Sequence, residues 1–448
     1  MDSVSLEKSP PYQCDMDQHV EKGEGQVTHE SFKRVYSVWT ASAYQVLMMA
    51  SWTCNIVLYG TVFDIGGPMM LIYSTAQIIA AIVQLRYPDY IPTSWQIWLI
   101  YSAILLISVL FCLSQKHLPA ISLLGAVLTF GGGIAWAVTF LVRANKHDAT
   151  FVFNHLINQS GYTSTGWVGL MSFYTPVYAL YGTDGILHIT EEIHNPEKNA
   201  PRAMILSMIF SGITSLMGAV VMGFCSGDWE SYIESEMLKL VDSLPFIPWF
   251  VEVLGSVAGA SVLVVVVIVF LNFLITVGIN TAASRMAWGM ATDNALPFSN
   301  VFVRISPKWE SPIYTILLTV AAELAIGLVV FGSNYAFQAI VSLGGVAIQI
   351  GYLTPVLMAF DKLIIRGRSA LPPSQYFNLG KFGLVVNITS VCWSSLIIVI
   401  LLFPLYVPVT SNNIYDMNWA IVMCGGLIIL VTVDWLLRGR FHYTVPEE

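Results

Sequence analysis

The sequence predicts an all-α polytopic membrane protein. Only 11% of its 448 residues are charged and 56% are hydrophobic, whereas a soluble globular chain carries roughly 25% charged residues. The mean hydropathy is +0.68. A helix needs about 20 apolar residues to cross the hydrocarbon core. Eleven runs qualify as candidate spans: 36–60, 66–85, 96–114, 119–142, 167–190, 204–226, 255–283, 312–333, 335–360, 382–404 and 417–437.

The predicted membrane domain, residues 35–437, lies between two polar tails. Residues 1–34 hold seven acids and four bases and include the stretch "EKSPPYQCDMDQHVEKGEGQ", a composition typical of disorder. A basic n-region followed by a short apolar h-region is missing there, so we expect no cleaved signal peptide. Residues 438–448 are predicted to form a short C-terminal tail.

The distribution of Lys and Arg makes the run 66–85 anomalous. If all eleven runs cross and the first tail is cytoplasmic, 8 of the 20 basic residues lie inside; if 66–85 does not cross, 16 do. The positive-inside rule favours the second topology. We therefore predict that both termini are cytoplasmic and that 66–85 forms a short helix or re-entrant hairpin. An alternative keeps a crossing helix and returns the chain through an extended connection at 86–95.

Two further features agree with this topology. The glycosylation acceptor pattern at Asn158 falls outside, as does the acidic stretch 227–243.

The run 167–190 carries Gly182-Thr183-Asp184-Gly185 in its middle. Two glycines weaken a helix there, and an unwound backbone within a bilayer is tolerated only where it faces a protein-enclosed cavity. Discontinuous helices of this kind bind ions and polar solutes in many secondary transporters, and intramembrane carboxylates mark functional sites. The pattern therefore predicts a binding site at the break. The alternative is a continuous helix with packing glycines and a snorkelling aspartate.

Three other acids are candidates for gating or proton coupling. Glu191 and Glu192 directly follow the run 167–190 at the end of its helix, and Glu323 lies in the middle of the run 312–333. A solvated helix end is the alternative for the first two, and a structural, hydrogen-bonded acid is the alternative for Glu323.

Other function classes find little support in the sequence. The six Cys are dispersed without a CxxC pair, and no GxxxxGK[ST] phosphate loop occurs. We expect no enzyme activity, no cofactor, no metal and no nucleic-acid partner.

Three motifs carry a family resemblance. The stretch "GTDGILHITEEIHNPEKNAPRAMI" resembles the sixth-helix signature of the amino acid–polyamine–choline transporter superfamily, and more narrowly that of the fungal choline and GABA permeases. Met48–Tyr73 resembles helix 1 running into helix 2. Ser284–Ser299 resembles the loop after helix 8, with Thr292 where the family often has Arg. The resemblance extends over nearly the whole chain from residue 35.

The resemblance implies a LeuT-like bundle of two inverted five-helix repeats plus two C-terminal helices. Helices 1 and 6, at 36–60 and 167–190, would be unwound around a central site, with the helix 1 break near Ala50 to Thr53. It also implies a truncated first repeat that lacks the inner halves of helices 2 and 3, with the junction at about Tyr73–Ser74. We then expect a cleft at that position and weak support for helices 1 and 6.

The resemblance further implies a secondary transporter of a small amine-bearing solute, with a coupling proton. Aromatic side chains near the break favour an organic cation or zwitterion, with choline first and GABA or another amino compound next. The alternative is that these aromatics only fill a helix interface. We expect Trp52 to face these aromatics. The plasma membrane is the expected location, with the vacuolar membrane as the alternative. A transport-deficient nutrient receptor or partner subunit is the alternative function. The predicted substrate-binding residues are Ser51, Trp52, Thr53, Tyr178, Tyr181, Gly182, Thr183, Asp184 and Gly185.

Overall fold

The computed structural model describes residues 32–49, 51–58, 67–154, 158, 160–226, 244, 246–364, 377, 379–404, 406–410 and 417–443. Strand pairing in this part of the chain is limited to two isolated bridges, so the all-α prediction is confirmed. The main helices are α1 (Val38–Met49), α2 (Ser51–Leu58), α3 (Gly67–Arg86), α4 (Ser94–Cys112), α5 (Leu118–Arg143), α6 (Thr165–Met171), α7 (Tyr174–Ala179), α8 (Gly185–His188), α9 (Pro196–Cys225), α10 (Phe246–Leu254), α11 (Val257–Thr292), α12 (Ile313–Gly327), α13 (Asn334–Ile364), α14 (Gly383–Leu402) and α15 (Ala420–Asp434).

Shorter pieces complete the described structure. A π-helical turn, Val264–Val269, lies within α11, and a second, Trp435–Gly439, continues α15. The remaining short helical segments are Gln115–His117, Ala149–Asn154, Thr190–Glu192, Ser299–Phe302, Val329–Gly332, Gly380–Phe382 and Arg440–His442.

Eight helices in the described part of the chain are long and apolar enough to cross a membrane. They correspond one to one with eight of the eleven predicted runs. The other three runs are 36–60 and 167–190, which are each divided into shorter helices, and 66–85, which forms α3.

Close packing against α5 fixes the position of α1 and α2. A Cβ atom on Gly125 would lie 2.5 Å from Leu47, and one on Gly133 would lie 3.1 Å from the Trp52 indole nitrogen. Small residues allow membrane helices to approach each other in this way. Eight residues of α1 are buried, because α1 also packs on α9 and α11. The expectation that helix 1 is weakly supported is therefore wrong.

The helix α3 is continuous through Tyr73 and Ser74. Of the two predicted forms of this run, the re-entrant hairpin is therefore wrong and a single helix is observed. Its first half packs on α4, with the ring centroids of Tyr73 and Tyr101 6.4 Å apart. Its last turn, carrying Leu85, packs on the core cluster that contains the first turns of α11. α3 thus points toward the start of α11, whereas Tyr36, just before α1, lies with the Glu192–Arg285 pair near the end of α11.

The direction of α3 is therefore the same as that of α1 and α2. The chain between them, residues 59–66, lies outside the described residues. After a short turn, α4 runs back and ends beside the N-terminal segment, where the Gln115 amide donates to the Lys33 carbonyl (3.0 Å). This is the relative placement that the basic residues predict. The alternative extended return at 86–95 is not observed, because α4 already begins at Ser94.

The helical unit begins at Phe32, three residues before the predicted domain boundary. Phe32 is 7% exposed, which places it in the core. The rest of the predicted N-terminal tail, the acidic stretch 227–243 and the end of the C-terminal tail lie outside the described residues. Asn158 is exposed, and its side chain is held in a local turn by Ser160 and Tyr162.

Candidate functional site

The run 167–190 is interrupted between α7 and α8. Residues 180–184 are not helical, and Gly182 has φ +89°, a conformation that side chains other than glycine rarely adopt. The neighbouring helix 1 lies against this point, because a Cβ on Gly182 would be 3.7 Å from the Met48 carbonyl oxygen. The predicted break in helix 6 is therefore present, and it lies beside the end of α1.

The side chain of Gln45 bridges this break from α1. Its amide nitrogen donates to the Gly182 carbonyl, and its amide oxygen accepts a hydrogen bond from the Ile186 N–H at 2.8 Å. Gln45 is fully buried. Backbone groups released by an interruption must find partners within a membrane protein, and a single amide here supplies both a donor and an acceptor.

A second set of bonds comes from α13 on the other side. The Gly182 N–H donates to the Tyr352 hydroxyl (3.1 Å), and this hydroxyl donates to Asp184 Oδ1 (2.7 Å). The second carboxylate oxygen lies 3.1 Å from His188 Nε2, one turn further along the chain. Both oxygens of Asp184 therefore have partners, so the carboxylate is part of a local network and is not an isolated anion.

Four tyrosines extend from the break. Neighbouring ring centroids are 5.0 Å apart for Tyr174 and Tyr178, 4.9 Å for Tyr178 and Tyr181, and 6.2 Å for Tyr181 and Tyr352. Gly345 of α13 leaves room for two of these rings, since a Cβ there would lie 1.8 Å from the Tyr178 hydroxyl oxygen. The Tyr181 hydroxyl donates a hydrogen bond to the Gly345 carbonyl (3.3 Å). These rings form a continuous aromatic surface beside the half-buried Thr183.

The predicted residues of helix 1 are placed differently from the expectation. Ser51, Trp52 and Thr53 belong to the helix α2 and are buried, and Ala50 lies outside the described residues. Trp52 faces α5: its indole N–H donates to the Thr129 carbonyl (2.8 Å), and its ring stacks on Trp136 at 5.5 Å. The expectation that Trp52 faces the helix 6 aromatics is wrong.

One other side chain of α2 does lie near the helix 6 aromatics: Cys54 packs in the cluster that contains Tyr178 and Tyr181. The Ser51 hydroxyl is buried and has no hydrogen-bond partner among the described residues. The last predicted binding residue, Gly185, is buried against Met48, whose sulfur would lie 2.6 Å from an added Cβ.

The end of helix 6 contains a buried ion pair. Glu192 Oε1 accepts a hydrogen bond from Arg285 Nε at 2.9 Å, and the two side chains are 0% and 2% exposed. The Phe32 ring lies 5.3 Å from the Arg285 guanidinium. The backbone N–H groups of Val35 and Tyr36 donate to the Glu192 carbonyl. The N-terminal segment is thereby fastened over this ion pair.

The other two predicted acids are in different surroundings. Glu191 is exposed, and its pKa is raised by partial desolvation and by the neighbouring Glu192 carboxylate. Glu323 is 5% exposed, and its Oε2 has no hydrogen-bond partner among the described residues. Its carbonyl accepts a hydrogen bond from the Tyr101 hydroxyl (2.8 Å). Neither side chain forms a hydrogen bond or ion pair with residues 180–184 in the described structure.

Sequence reasoning missed Gln45, Tyr352 and Arg285. A glutamine within an apolar run needs hydrogen-bond partners, and this was an available signal for Gln45. Tyr352 and Arg285 carried no comparable local signal, because tyrosine and arginine are also common near membrane interfaces.

Comparison with known proteins gives matches over most of the chain. Residues 35–428 match the family model described as Amino acid permease. Amino-acid permease 2 of Neurospora crassa is 30% identical over 311 residues, which cover 69% of this chain and 54% of that protein. The choline transporter of Saccharomyces cerevisiae is 27% identical over 410 residues, which cover 89% of this chain and 68% of that protein.

Among solved structures, a sodium-coupled sialic acid symporter matches with a TM-score of 0.42 and 10% identity, over 80% of this chain and 84% of that chain. The chain thus spans little more than half of the Neurospora permease and about two thirds of the yeast transporter.

Proposed function

The chain belongs to the amino acid permease family, and on this basis we propose that it is a secondary transporter of a small amine-bearing solute. Amino acids, GABA and choline are the candidates. The observation that supports this proposal best is the interruption of helix 6, held by Gln45 on one side and Tyr352 on the other. Interrupted helices of this kind form solute sites in the middle of the membrane in many secondary transporters.

The proposed solute site lies at Gly182 and Thr183. The aromatic surface of Tyr178 and Tyr181 attracts an ammonium group, since a cation over an aromatic face gains about 0.5–2 kcal/mol. Asp184 supplies negative charge through the network that it forms with Tyr352. Ser51 and Thr53 of helix 1 and Gly185 of helix 6 complete the proposed set; the buried Ser51 hydroxyl has no hydrogen-bond partner among the described residues.

The gate of this transporter is the Glu192–Arg285 pair with the N-terminal segment above it. Closing this end of the bundle requires the ion pair and the backbone bonds of Val35 and Tyr36 to form together. Glu191 and Glu323 are the remaining candidates for proton coupling; one buried carboxyl oxygen of Glu323 has no hydrogen-bond partner in the described part of the chain.

Both termini are cytoplasmic in this proposal, and the plasma membrane is the location. Asn158 then faces the outside. A reporter fused after residue 448 and a glycosylation assay at Asn158 test the orientation. We expect a cytoplasmic reporter and an outward acceptor; an external C-terminus would contradict the proposal.

Transport itself is tested with the purified 448-residue chain in proteoliposomes. Uptake of radiolabelled choline, GABA and L-amino acids is measured with and without an imposed proton gradient. We expect saturable uptake of at least one of them, which Thr183→Val reduces and Thr139→Val, on the far part of α5, does not. Saturable binding without uptake would instead identify a receptor or partner subunit. Neither binding nor uptake of any solute in the panel would refute the proposal.

A further inference from the structure

A chain of hydrogen bonds connects the break to a cavity beyond it. It runs from the Gly182 N–H to the Tyr352 hydroxyl, from this hydroxyl to Asp184 Oδ1, and from Asp184 Oδ2 to His188 Nε2, with distances of 3.1, 2.7 and 3.1 Å. The two charged members are only partly exposed, 33% for the Asp184 side chain and 22% for His188. The pair is therefore accessible but largely desolvated.

The cavity gives His188 a route for proton exchange. It has a volume of about 360 Å³ and lies between the end of helix 6 and α11, with His188, Glu191 and Trp288 in its wall. The charged and titratable groups around the imidazole are Asp184 and Glu191 on its own segment, the hydroxyl of Tyr352 from α13, and the mutually neutralising pair of Glu192 and Arg285.

The charge at the break depends on one proton. With His188 protonated, imidazolium and carboxylate form a neutral pair. When the imidazolium loses its proton to water in the cavity, one negative charge remains on Asp184. Unit charges a few Å apart interact by about 4 kcal/mol at an effective dielectric constant near 20, so a cation at the break favours the deprotonated state of His188.

We propose that His188 and the ammonium group of the solute compete for Asp184, so that binding of a cationic solute releases the His188 proton toward the cavity. The inference rests on the proposed function, because it needs a solute cation at the break. The solute keeps its own protons, and the only bond broken is the N–H of the imidazolium, whose proton passes to water. A proton and an amine are thereby exchanged at one carboxylate.

Isothermal titration in buffers of different ionisation enthalpy counts the protons released on binding. The titrant is whichever solute of the choline, GABA and amino acid panel binds the full chain in nanodiscs. The titration is repeated at several pH values, and we expect a substantial fraction of a proton to be released per solute bound at one or more of them. His188→Gln should abolish this release, and His194→Gln, at an exposed position six residues away, should retain it. Equal proton release by wild type and His188→Gln would overturn the proposal.

A second measurement needs no solute. Melting temperatures of the wild type, Asp184→Asn, His188→Gln and the double variant give the coupling between the two side chains. An imidazolium–carboxylate pair is stabilising while the imidazole is protonated and weakens as pH rises, so the coupling should be larger at about pH 5.5 than at about pH 8. Equal coupling energies at the two pH values would refute the proton–amine exchange and leave the proposed transport function standing. If no solute in the panel binds, both the proposed function and the exchange are refuted.

Discussion

Replacing Arg285 with methionine should be among the most destabilising single changes in this chain. Arg285→Met leaves the Glu192 carboxylate, which is fully buried, without its charged partner. Removing one member of a buried ion pair costs about 3–5 kcal/mol, because the remaining charge stays desolvated. Glu192 Oε2 already has no hydrogen-bond partner among the described residues, which leaves little local compensation.

The double variant Glu192→Gln/Arg285→Met separates charge from packing. It removes both charges, and replacing a buried pair by neutral groups is often nearly neutral for stability. We therefore expect the double variant to be more stable than Arg285→Met alone. The ion pair between Lys33 and Glu310 serves as the matched control, since its atoms are 3.6 Å apart and its side chains are 62% and 32% exposed. Lys33→Met should cost only about 0–1 kcal/mol.

Thermal unfolding of the purified variants in detergent, followed by tryptophan fluorescence, gives the comparison. We expect the midpoints to fall in the order wild type and Lys33→Met, then the double variant, then Arg285→Met. If Arg285→Met and Lys33→Met have the same unfolding midpoint, the reasoning about the buried charge is refuted.

Three further substitutions test the packing around the break. Gln45→Leu should destabilise the chain by about 1–3 kcal/mol, because it leaves the Ile186 N–H unpaired while the Gly182 carbonyl still accepts from the Gly185 N–H (3.1 Å); chemical denaturation measures this loss, and an unchanged midpoint would contradict a structural role for the Gln45 amide. Gly345→Ala should lower the melting temperature, since overpacking typically costs about 1–3 kcal/mol and its Cβ would overlap the Tyr178 hydroxyl; Tyr178→Phe in the same background should restore part of the loss. Trp52→Phe should lower stability but leave solute affinity unchanged. A tenfold loss of affinity in an equilibrium-binding assay would show that Trp52 belongs to the binding site.

The sequence predicted the break because its cause is local. Glycine is the residue that adopts φ +89° without strain, and a Gly-Thr-Asp-Gly stretch within an apolar run is visible without any tertiary information. The helices that span 20 or more apolar residues were predicted for the same reason, since the bilayer thickness dictates their length.

What the sequence could not predict are the partners across the fold. Gln45 and Tyr352 are separated from their partners at the break by 137 and 168 residues, and no periodicity in an apolar run identifies which polar side chain will meet them. The orientation of Trp52 was mispredicted because Ser51, Trp52 and Thr53 are all buried, so hydropathy cannot distinguish the face toward α5 from the face toward helix 6. The positions of the glycines on α5 decide it.

The direction of α3 shows the same limit. The count of basic residues predicted that α4, which follows the run 66–85, ends on the same side as the N-terminal tail. α4 does end beside Lys33. Charge counting cannot distinguish a re-entrant hairpin from a continuous helix that points the same way as α1, because both leave the basic residues in the same place. Only the contacts of Tyr73 and Leu85 separate the two.

Protection of Thr183 by solute tests the central claim most directly. In a variant whose six native cysteines are replaced by serine or alanine, Thr183→Cys is alkylated by a small maleimide with and without saturating choline, GABA or amino acid. Asn300→Cys, at an exposed position outside the spanning helices, is the control. A solute site at the break predicts that one of these solutes slows alkylation at residue 183 and leaves residue 300 unaffected. If a solute binds the chain and alkylation at residue 183 proceeds at the same rate, the binding site is not at the break in helix 6.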